Sequence, residues 1–308
     1  MRILVTGGAG FIGSHVVDTF VEAGHDVFVI DNLSSGRKEF INPKAKFFNV
    51  DITDRGQVAK VIKEVKPNVV NHHAAQISVR ISVQDPTIDA RINIVGLLNL
   101  LEEARLHGTS SFIFASSGGV VYGDASTLPT PEDYHPLAPL SPYGVSKLAS
   151  EHYLNFYYQT YGIKFVALRY SNVYGPRQNP YGEAGVVAIF SKKLLSGQVC
   201  TINGDGRQTR DYVYVADVAL ANLAAVHSPF VGAVNIGTNV ETDVVILYEN
   251  LAQVVGSELK PVYGPVKIGE QKRSCLKISK ALQVLRWKPE ITLSEGLKTT
   301  VSYFQNHE

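Results

Sequence analysis

The feature that most restricts how this chain can fold is a glycine-rich segment near its N-terminus, GGAGFIG at residues 7–13. A short aliphatic run at 3–6 precedes it and an amphipathic stretch at 12–23 follows it, which predicts strand, turn and helix in that order. Glycine tolerates the positive φ that such a tight turn needs, and it leaves the backbone open to close approach. The first N–H groups of a helix lack partners and carry partial positive charge, so the segment predicts a phosphate-binding turn.

A carboxylate at the end of the second predicted strand narrows the ligand to a dinucleotide. Asp31 lies 18 residues after Gly13, where a strand–turn–helix–strand unit presents an acid to the ribose hydroxyls. This carboxylate favours NAD over NADP, because it would repel a 2′-phosphate. Arg37 could serve such a phosphate, but a solvated residue opening the next segment is its more ordinary interpretation. The predicted cofactor is therefore NAD.

The first 170 or so residues alternate between short β-branched runs and longer amphipathic stretches. The predicted strands are 3–6, 26–30, 46–50, 69–71, 111–115 and 164–169, and the predicted helices are 12–23, 55–65, 88–107 and 142–161. This alternation predicts an α/β fold, a doubly wound parallel Rossmann sheet with helices on both faces. After about residue 174, Gly and Pro become denser and the elements shorten, which indicates a smaller C-terminal substrate-binding lobe.

These changes along the chain predict two domains. A NAD-binding Rossmann domain is expected over 1–175, and the chain is expected to rejoin it at about 211–240. A second lobe, mainly for binding the substrate, is expected over 176–308.

Composition excludes several classes of protein. The 308 residues are 45% hydrophobic, carry a net charge of +1 and show no dense basic stripe, so nucleic-acid binding is not expected. No apolar run reaches the roughly 18 residues of a membrane helix. The chain starts directly with a strand, so no signal peptide and a cytoplasmic location are expected. Cys200 and Cys275 fit no ligand spacing, which predicts two reduced, buried thiols and no metal site.

The segment SPYGVSK at 141–147 indicates the start of a helix, with Ser141 as N-cap and Pro142 in the first turn. Tyr143 and Lys147 are four residues apart and therefore share one helix face. A tyrosine whose unperturbed pKa is near 10 needs roughly 4 kcal/mol of help to act as a base near neutral pH. A neighbouring ammonium, a helix N-terminus and an oxidised nicotinamide can supply it together. Combined with the glycine turn, the pair predicts a dehydrogenase-type active site.

These motifs resemble the short-chain dehydrogenase/reductase superfamily, in its extended branch, over essentially the whole chain. Within that branch the chain is most similar to the nucleotide-sugar epimerases of the UDP-glucose (UDP-galactose) 4-epimerase type. The further matching motifs are Asp51-Ile52, AAQ at 74–76, Asn93, LRYSNVYGPR at 168–177 and RDY at 210–212. The resemblance implies an isomerase that inverts C4 of a UDP-hexose through a transient 4-keto sugar, with NAD retained and Tyr143 as base.

The segment ASSGGVVYG at 115–123 discriminates best within the family. By resemblance Ser117 is the third catalytic residue and hydrogen-bonds the sugar 4-hydroxyl; a structural hydroxyl at a strand end is the alternative. Related 4,6-dehydratases have Thr-Asp-Glu here, and nucleotide-sugar decarboxylases have a Glu in the same loop. This chain has Gly118 and Gly119 instead, so it lacks the acidic groups that elimination needs.

The resemblance implies that 176–308 is mainly a nucleotide-sugar-binding lobe, and it assigns the remaining site residues. The residues expected to bind NAD are Gly7, Gly10, Phe11, Ile12, Gly13, Asp31, Asn32, Ser34, Ser35, Gly36, Asp51, Ile52, Ala74, Ala75, Gln76, Asn93, Tyr143, Lys147 and Tyr170. Those expected to bind the UDP-sugar are Ser117, Tyr143, Asn172, Gly185, Val186, Thr201, Asn203, Arg210, Tyr212, Lys267, Glu270 and Ser274.

Two of the substrate positions refine these expectations. Where the family has Arg-x-Gly-Asp/Glu, this chain has Lys267 to Glu270, so the bidentate fork of arginine is lost and phosphate binding depends more on Arg210. Ser274 aligns with the family position that lies beside the 2-substituent of the hexose. A small residue at this position implies that N-acetylated sugars are accepted. The alternative is that Lys272, Arg273 or a loop fills the space.

Other functions remain open at this point. A dehydrogenase that releases the oxidised sugar, an epimerase of UDP-N-acetylglucosamine or UDP-glucuronate, or another NAD-dependent nucleotide-sugar oxidoreductase would need many of the same residues. A non-catalytic NAD-sensing protein should have lost Tyr143 or Lys147, and both are present. The helices at 88–107 and 142–161 pair across a two-fold axis in relatives, so a homodimer is expected.

Overall fold

The computed structural model describes residues 1–181, 185–266 and 271–307. Its strands are β1 Arg2–Thr6, β2 Asp26–Asp31, β3 Lys46–Asn49, β4 Val69–His72, β5 Ser111–Ser117, β6 Lys164–Tyr170, β7 Asn172–Tyr174, β8 Thr201–Asn203, β9 Thr209–Arg210, β10 Tyr212–Tyr214, β11 Gly232–Ile236, β12 Thr242–Asp243 and β13 Val262–Gly264. Its α-helices are α1 Phe11–Glu22, α2 Arg55–Val65, α3 Val79–Gln84, α4 Pro86–Ala90, α5 Gly96–Leu106, α6 Gly118–Val121, α7 Pro142–Tyr161, α8 Val186–Leu195, α9 Val215–His227, α10 Val244–Val255, α11 Ser279–Leu285 and α12 Leu293–Asn306. A short 3₁₀ turn spans Lys38–Phe40 and a π-helical turn spans Arg91–Val95.

Seven strands form the main sheet, in the order β11-β6-β5-β4-β1-β2-β3, and every pair in it is parallel. The chain runs from β1 outwards to β3 and then returns to the other side of β1 with β4. The loops after β1 and β4 therefore diverge at the carboxyl edge of the sheet, where ligands bind in folds of this kind. The predicted doubly wound α/β fold is confirmed.

Apolar residues cover both faces of the sheet, as its parallel topology requires. Successive residues of β1 point to opposite sides: Ile3 and Val5 pack in one cluster with α1 and α9, whereas Leu4 packs in another with α2, α5 and α7. All three side chains are fully buried.

Three two-stranded sheets lie outside the main sheet: β10 with β7, β12 with β9 and β13 with β8. A separate apolar cluster includes residues of α8, α10 and α12 together with Ile202 and Tyr212. β11 lies in the main sheet beside β6, although it follows several of these short strands in sequence. The domain boundaries predicted at 175 and at about 211–240 stay predictions.

The single helix predicted over 88–107 is observed as two α-helices, α4 and α5, with a π-helical turn between them. Asp85 accepts hydrogen bonds from the backbone N–H of Thr87 and Ile88, so helical structure already begins at Pro86. The π-helical turn Arg91–Val95 then separates α4 from α5. Such single-turn insertions are common at functional sites, and this one contains Asn93.

In the described part of the chain, none of the helices has both the length and the apolar character that a membrane span requires. Cys200 and Cys275 are free, buried thiols, as predicted.

Candidate active site

The glycine turn brings the backbone of three segments into close contact. Gly7 has φ of 71°, and a Cβ there would lie 2.6 Å from the amide nitrogen of Ala74. A Cβ at Gly13 would lie only 2.1 Å from the carbonyl oxygen of Gly7, so this glycine lets α1 pack directly on the turn. Gly10 is the N-cap of α1, and no side chain caps the helix. These features fit the pyrophosphate of NAD, which needs uncovered N–H groups at a helix N-terminus.

Asp31 holds the neighbouring loop against this turn. Its carboxylate accepts hydrogen bonds from the backbone N–H of Ala9 at 3.0 Å and of Leu33 at 2.8 Å. A Cβ at Gly36 would lie 2.9 Å from one of its oxygens, so there is little space beside the carboxylate. Arg37 is more than half exposed and lies 3.7 Å from Glu39, which agrees with its interpretation as a solvated residue.

A second carboxylate organises the loop expected to face the adenosine. Asn32 donates to Asp51 at 3.0 Å and accepts from the backbone N–H of Ser34 at 3.0 Å. Asp51 also accepts from both the N–H and the hydroxyl of Thr53. Partial burial opposes ionisation of Asp51, but the hydrogen bonds from Thr53 and Asn32 outweigh it and lower its pKa. Asp51 is therefore an ordered carboxylate.

Asn93 fixes the backbone that follows β4. Its amide accepts from the N–H of Gln76 at 2.8 Å and donates to the carbonyl of the same residue at 2.9 Å. It also donates to Asp89 at 3.0 Å, which in turn accepts from the side chain of Gln76. Asn93 is 3% exposed. Asn93 therefore positions the 74–76 segment, and its contact with NAD stays a prediction.

The first turn of α7 carries Tyr143. Ser141 accepts a hydrogen bond from the backbone N–H of Gly144 at 3.1 Å, and Pro142 occupies the first helical position. Both features are the helix-start signals expected from the sequence. They place Tyr143 in the first helical turn, where the N–H groups favour a negative charge.

Lys147 connects α7 to the end of β5. Its ammonium nitrogen donates to the carbonyl of Ala115 at 2.9 Å and lies 5.7 Å from the centre of the Tyr143 ring. Ala115 stands two residues before Ser117, the last residue of β5. The structure thus brings Tyr143 and Lys147 next to the strand that ends at Ser117.

Burial governs the protonation of this pair. It raises the pKa of Tyr143 well above its usual value, and the negative charge of Asp89 raises it further. Burial lowers the pKa of Lys147 to about 8, against the opposing influence of Asp89 and Glu151. Lys147 is therefore mostly protonated at neutral pH. A positive charge is available beside Tyr143, but the protein alone leaves the phenol neutral.

Two histidines at the end of β4 lie near this ammonium. Burial, and then the charge of Lys147, lower the pKa of His73 to about 3 and that of His72 well below its ordinary range. Both are thus neutral. His73 stacks on the ring of Tyr170, whose buried hydroxyl is also bound by Asn222 at 2.8 Å. Any contact of Tyr170 with a cofactor therefore involves its ring or backbone.

A buried ion pair joins α7 to β6. Glu151 accepts from Arg169 through two hydrogen bonds of 3.0 and 2.7 Å, and from the hydroxyl of Ser116 at 2.5 Å. Both charged side chains are less than a tenth exposed. The sequence motifs did not predict this pair. Its signal was available, since Glu151 stands four residues after Lys147 on the same helix face.

Several of the residues expected to bind the substrate are connected to each other mainly by hydrogen bonds to backbone groups. The guanidinium of Arg210 donates to the carbonyl of Thr209 at 2.8 Å, and the N–H of Ser274 donates to that same carbonyl at 3.2 Å. Asn172 pairs with Tyr212 in the β7–β10 sheet. The structure therefore brings Arg210 and Ser274 together, with Asn172 and Tyr212 on adjoining strands.

The other expected substrate residues lie on separate elements. Thr201 and Asn203 belong to β8, and the carbonyl of Asn203 accepts from Gln208, two residues before Arg210. Gly185 is the N-cap of α8 and Val186 its first residue. Lys267 and Glu270 lie outside the described residues.

Known proteins resemble this chain over its whole length. The UDP-glucose 4-epimerase of Mycolicibacterium smegmatis is 46% identical over 313 residues, with 99% of each chain covered. A crystal structure of the Thermotoga maritima UDP-glucose 4-epimerase with UDP-glucose superposes with a TM-score of 0.97 at 49% identity, over 99% of each chain. The Thermus thermophilus UDP-glucose 4-epimerase in complex with NAD gives a TM-score of 0.95 at 43% identity, over 100% of each chain.

The family model described as "NAD dependent epimerase/dehydratase family" matches residues 3–237, which include the glycine turn, Ser117, Tyr143, Lys147 and the RDY motif. The relationship predicted from these motifs is confirmed. This chain belongs to the NAD dependent epimerase/dehydratase family.

Proposed function

We propose that this protein is a UDP-glucose 4-epimerase, an isomerase that interconverts UDP-glucose and UDP-galactose with bound NAD. The observation that carries the proposal is the placement of Tyr143 and Lys147 beside the end of β5, together with the glycine turn at α1. The extent of similarity to epimerases from three organisms supports the same reaction.

The chain's own residues handle the proton and the sugar oxygen. NAD supplies the two-electron oxidation at C4 and its reversal. Tyr143 takes the proton of the 4-hydroxyl and later returns it, and Ser117 donates a hydrogen bond to the same oxygen. The ammonium of Lys147 stabilises the phenolate of Tyr143. Because burial raises the pKa of Tyr143 in the protein alone, the positive charge of the oxidised nicotinamide is also needed before Tyr143 can act as a base.

The loop after Ser117 favours epimerisation over elimination. A Cβ at Gly118 would lie 2.5 Å from a methyl group of Leu276, so no larger side chain fits there without displacement. Neither Gly118 nor Gly119 can donate or accept a proton through a side chain. The chemistry left to the site is oxidation at C4, rotation of the bound keto sugar and reduction on its opposite face.

Residues beyond the catalytic pair hold the nucleotide. Arg210 binds the diphosphate, with Lys267 as a second cation that lacks the bidentate fork of arginine. Asn172, Tyr212, Gly185 and Val186 contact the sugar and diphosphate, Thr201 and Asn203 line the uracil, and Glu270 binds the uridine ribose. On the cofactor side, the residues from the glycine turn to Asp31 and Asp51 hold the dinucleotide.

Turnover without added cofactor tests the proposal. Purified protein incubated with UDP-galactose alone should produce UDP-glucose, and denatured protein should release close to one dinucleotide per chain. Tyr143→Phe serves as the inactive control with an unaltered glycine turn. If NADH is produced together with a sugar acid or a released keto sugar, the protein is a dehydrogenase and the proposed epimerase function is wrong.

A second substrate pair is favoured by Ser274. It is buried, small and follows Arg273, whose guanidinium is bound to Glu241 at 2.6 and 2.9 Å and is largely exposed. Arg273 is thus held elsewhere and does not take the space expected beside Ser274. The small side chain of Ser274 is thus the support for UDP-N-acetylglucosamine as a second substrate. Because Ser274 is only 4% exposed, an N-acetyl group beside it requires its neighbours to move.

Specificity constants for UDP-galactose and UDP-N-acetylgalactosamine in wild type and Ser274→Tyr decide this point. The tyrosine should reject only the acetylated sugar. If the wild type discriminates against the acetylated sugar by more than roughly 3 kcal/mol, well over a hundredfold, the space expected beside Ser274 is not available to an N-acetyl group.

The assembly is a homodimer whose interface is formed by α7 together with α4 and the π-helical turn. Val145 and Phe156 of α7 are about half exposed, and so are Ile88 of α4 and Val95 of the π-helical turn. Apolar side chains concentrated on adjacent helices are typical of protein interfaces. The cytoplasmic location stays a prediction.

A further inference from the structure

A fully buried aspartate, Asp211, stands between Arg210 and Tyr212. One carboxylate oxygen accepts from the N–H of Thr238 at 2.8 Å and from its hydroxyl at 2.7 Å. The other accepts from the N–H of Leu276 at 3.2 Å and of Asn239 at 3.3 Å. The carboxylate thus joins the segment after β11 to the segment after Ser274.

Each segment that meets at Asp211 leads to an expected substrate residue. The carbonyl of Asp211 accepts from the N–H of Asn172 at 2.9 Å. Arg210 is its direct neighbour in sequence, and Leu276 lies two residues beyond Ser274. Distant parts of the chain that carry Asn172, Arg210 and Ser274 are therefore held by one residue.

The surroundings of Asp211 select a carboxylate. The partners of its two side-chain oxygens are N–H and O–H donors, and a buried charge is tolerated only when such donors replace water. A Cβ at Gly237 would lie 2.5 Å from one of these oxygens, so glycine makes room for it. An asparagine would turn an amide nitrogen towards N–H donors on one side or the other.

We propose that Asp211 is a positioning residue for the nucleotide-sugar site: its carboxylate fixes the Arg210 segment relative to Ser274 and to the end of β11. Arg210 is thereby placed for the diphosphate before substrate arrives. The inference rests on the proposed function, which supplies the diphosphate ligand. Asp211 itself does not contact substrate, and its effect is exerted through Arg210 and Ser274.

Asp217 offers a matched control for the test. It is also an almost fully buried aspartate, and it accepts from the N–H of Glu290 and of Ile291, both at 3.1 Å. Burial raises the pKa of Asp211 and of Asp217 alike. The partners of Asp217 are residues near the start of α12, and none of the expected substrate residues is among them. Asp211→Asn and Asp217→Asn therefore remove the same kind of contact at different places.

The experiment measures binding of UDP by calorimetry to purified holoprotein, together with dinucleotide content, KM and kcat for UDP-galactose. We expect Asp211→Asn to raise the Kd for UDP by about tenfold or more, the size of one lost favourable contact. KM should rise by a similar factor, kcat should fall less, and NAD content should not change. Asp217→Asn should leave the Kd for UDP within about twofold of wild type.

Equal weakening by both variants, or an unchanged Kd in Asp211→Asn, would overturn the positioning role. If Asp211→Asn does not yield folded protein, Thr238→Val decides, because it removes the hydroxyl donor to Asp211 and keeps the backbone donor. Among the described residues, the only other hydrogen bond it removes is the long, exposed one of 3.3 Å that the same hydroxyl accepts from the N–H of Val240. A Kd for UDP raised at least about threefold supports the proposal, and an unchanged Kd refutes it. A wild type that does not bind UDP would instead refute the proposed substrate class.

Discussion

Lys147 shows at the scale of one residue how its proposed catalytic role opposes stability. Burial lowers its pKa to about 8 from an ordinary value of 10.5. Between these two values the unfolded chain holds a proton that the folded protein has released, so folding becomes more favourable as pH rises. Below pH 8 the cost of keeping the buried charge is constant, on the order of 3 kcal/mol from the difference in pKa.

Replacing Lys147 by Met should therefore raise the free energy of unfolding below pH 8. The gain is reduced by the contribution of the hydrogen bond to Ala115, which is lost. The advantage over wild type should shrink as pH increases from 8 to 10.5. Chemical denaturation of both proteins at pH 7, 8, 9 and 10 measures this difference in the free energy of unfolding. A difference that stays constant across this range would contradict the lowered pKa.

Tyr143 is the residue whose loss should affect turnover most. Tyr143→Phe keeps the ring and removes the proton acceptor, so we expect kcat to fall at least about 100-fold, the lower end of general-base contributions. Binding of UDP and NAD should persist. Ser117→Ala should cost less, since it removes only a hydrogen bond. Near-normal kcat in Tyr143→Phe would show that another group is the base.

Asp31 has a proposed role in cofactor choice and a structural role in its loop. Asp31→Ala should weaken NAD binding, both because the ribose partner is lost and because the backbone N–H groups of Ala9 and Leu33 lose their acceptor. It should also improve tolerance of NADP, as the repulsion of a 2′-phosphate disappears. Titrations with both dinucleotides test this. A wild type that prefers NADP would refute the argument.

At the scale of the element, α1 and α2 respond differently to the same substitution. A Cβ at Gly13 would collide with the Gly7 carbonyl at 2.1 Å, whereas at Gly56 the nearest atom, an oxygen of Asp54, is 3.4 Å away. Gly13→Ala should therefore lower both the free energy of unfolding and the NAD content. Gly56→Ala should stabilise α2 by about 0.5–1 kcal/mol, the usual helix preference for alanine.

Thermal melts and dinucleotide extraction of the two glycine variants distinguish steric contact from helix propensity. If both alanine variants were stabilised, the close packing of α1 on the turn would be wrong.

The helix α7 carries the proposed base, the proposed cation and a structural carboxylate on one face. Tyr143, Lys147 and Glu151 follow each other at intervals of four residues, so they form one stripe along the helix. Lys147 binds the carbonyl of Ala115 and Glu151 binds the hydroxyl of Ser116. Consecutive residues of β5 are thus held by successive turns of α7, which sets the position of Ser117.

At the scale of the whole molecule, the proposed dimer can be tested with matched charges. Phe156 on α7 and Leu282 on α11 are about equally exposed. Phe156→Glu should place charges at the dimer interface and shift the molecular mass in light scattering from two chains towards one. Leu282→Glu should leave the mass unchanged. A monomeric wild type, or dissociation by both variants, would contradict the proposed interface.

The sequence by itself determined the features that depend on neighbouring residues. The glycine turn, the Ser141 cap and the Tyr143–Lys147 spacing are short-range patterns, and their physical consequences hold in any context that preserves a strand, a turn and a helix. The parallel fold followed from the alternation of strands and helices, because few topologies can bury such a pattern. The family relationship followed from these same motifs together.

The tertiary structure alone decided which distant residues meet. Arg169 pairs with Glu151, Asn93 of the π-helical turn binds the backbone of Gln76 after β4, and Asp211 accepts from donors in segments that lie far along the chain. A buried polar group must find partners wherever the packed chain brings them, and the local sequence does not specify those partners. That is why the proposed catalytic pair could be predicted from its spacing, whereas the residues that hold the site in place became visible only in the folded molecule.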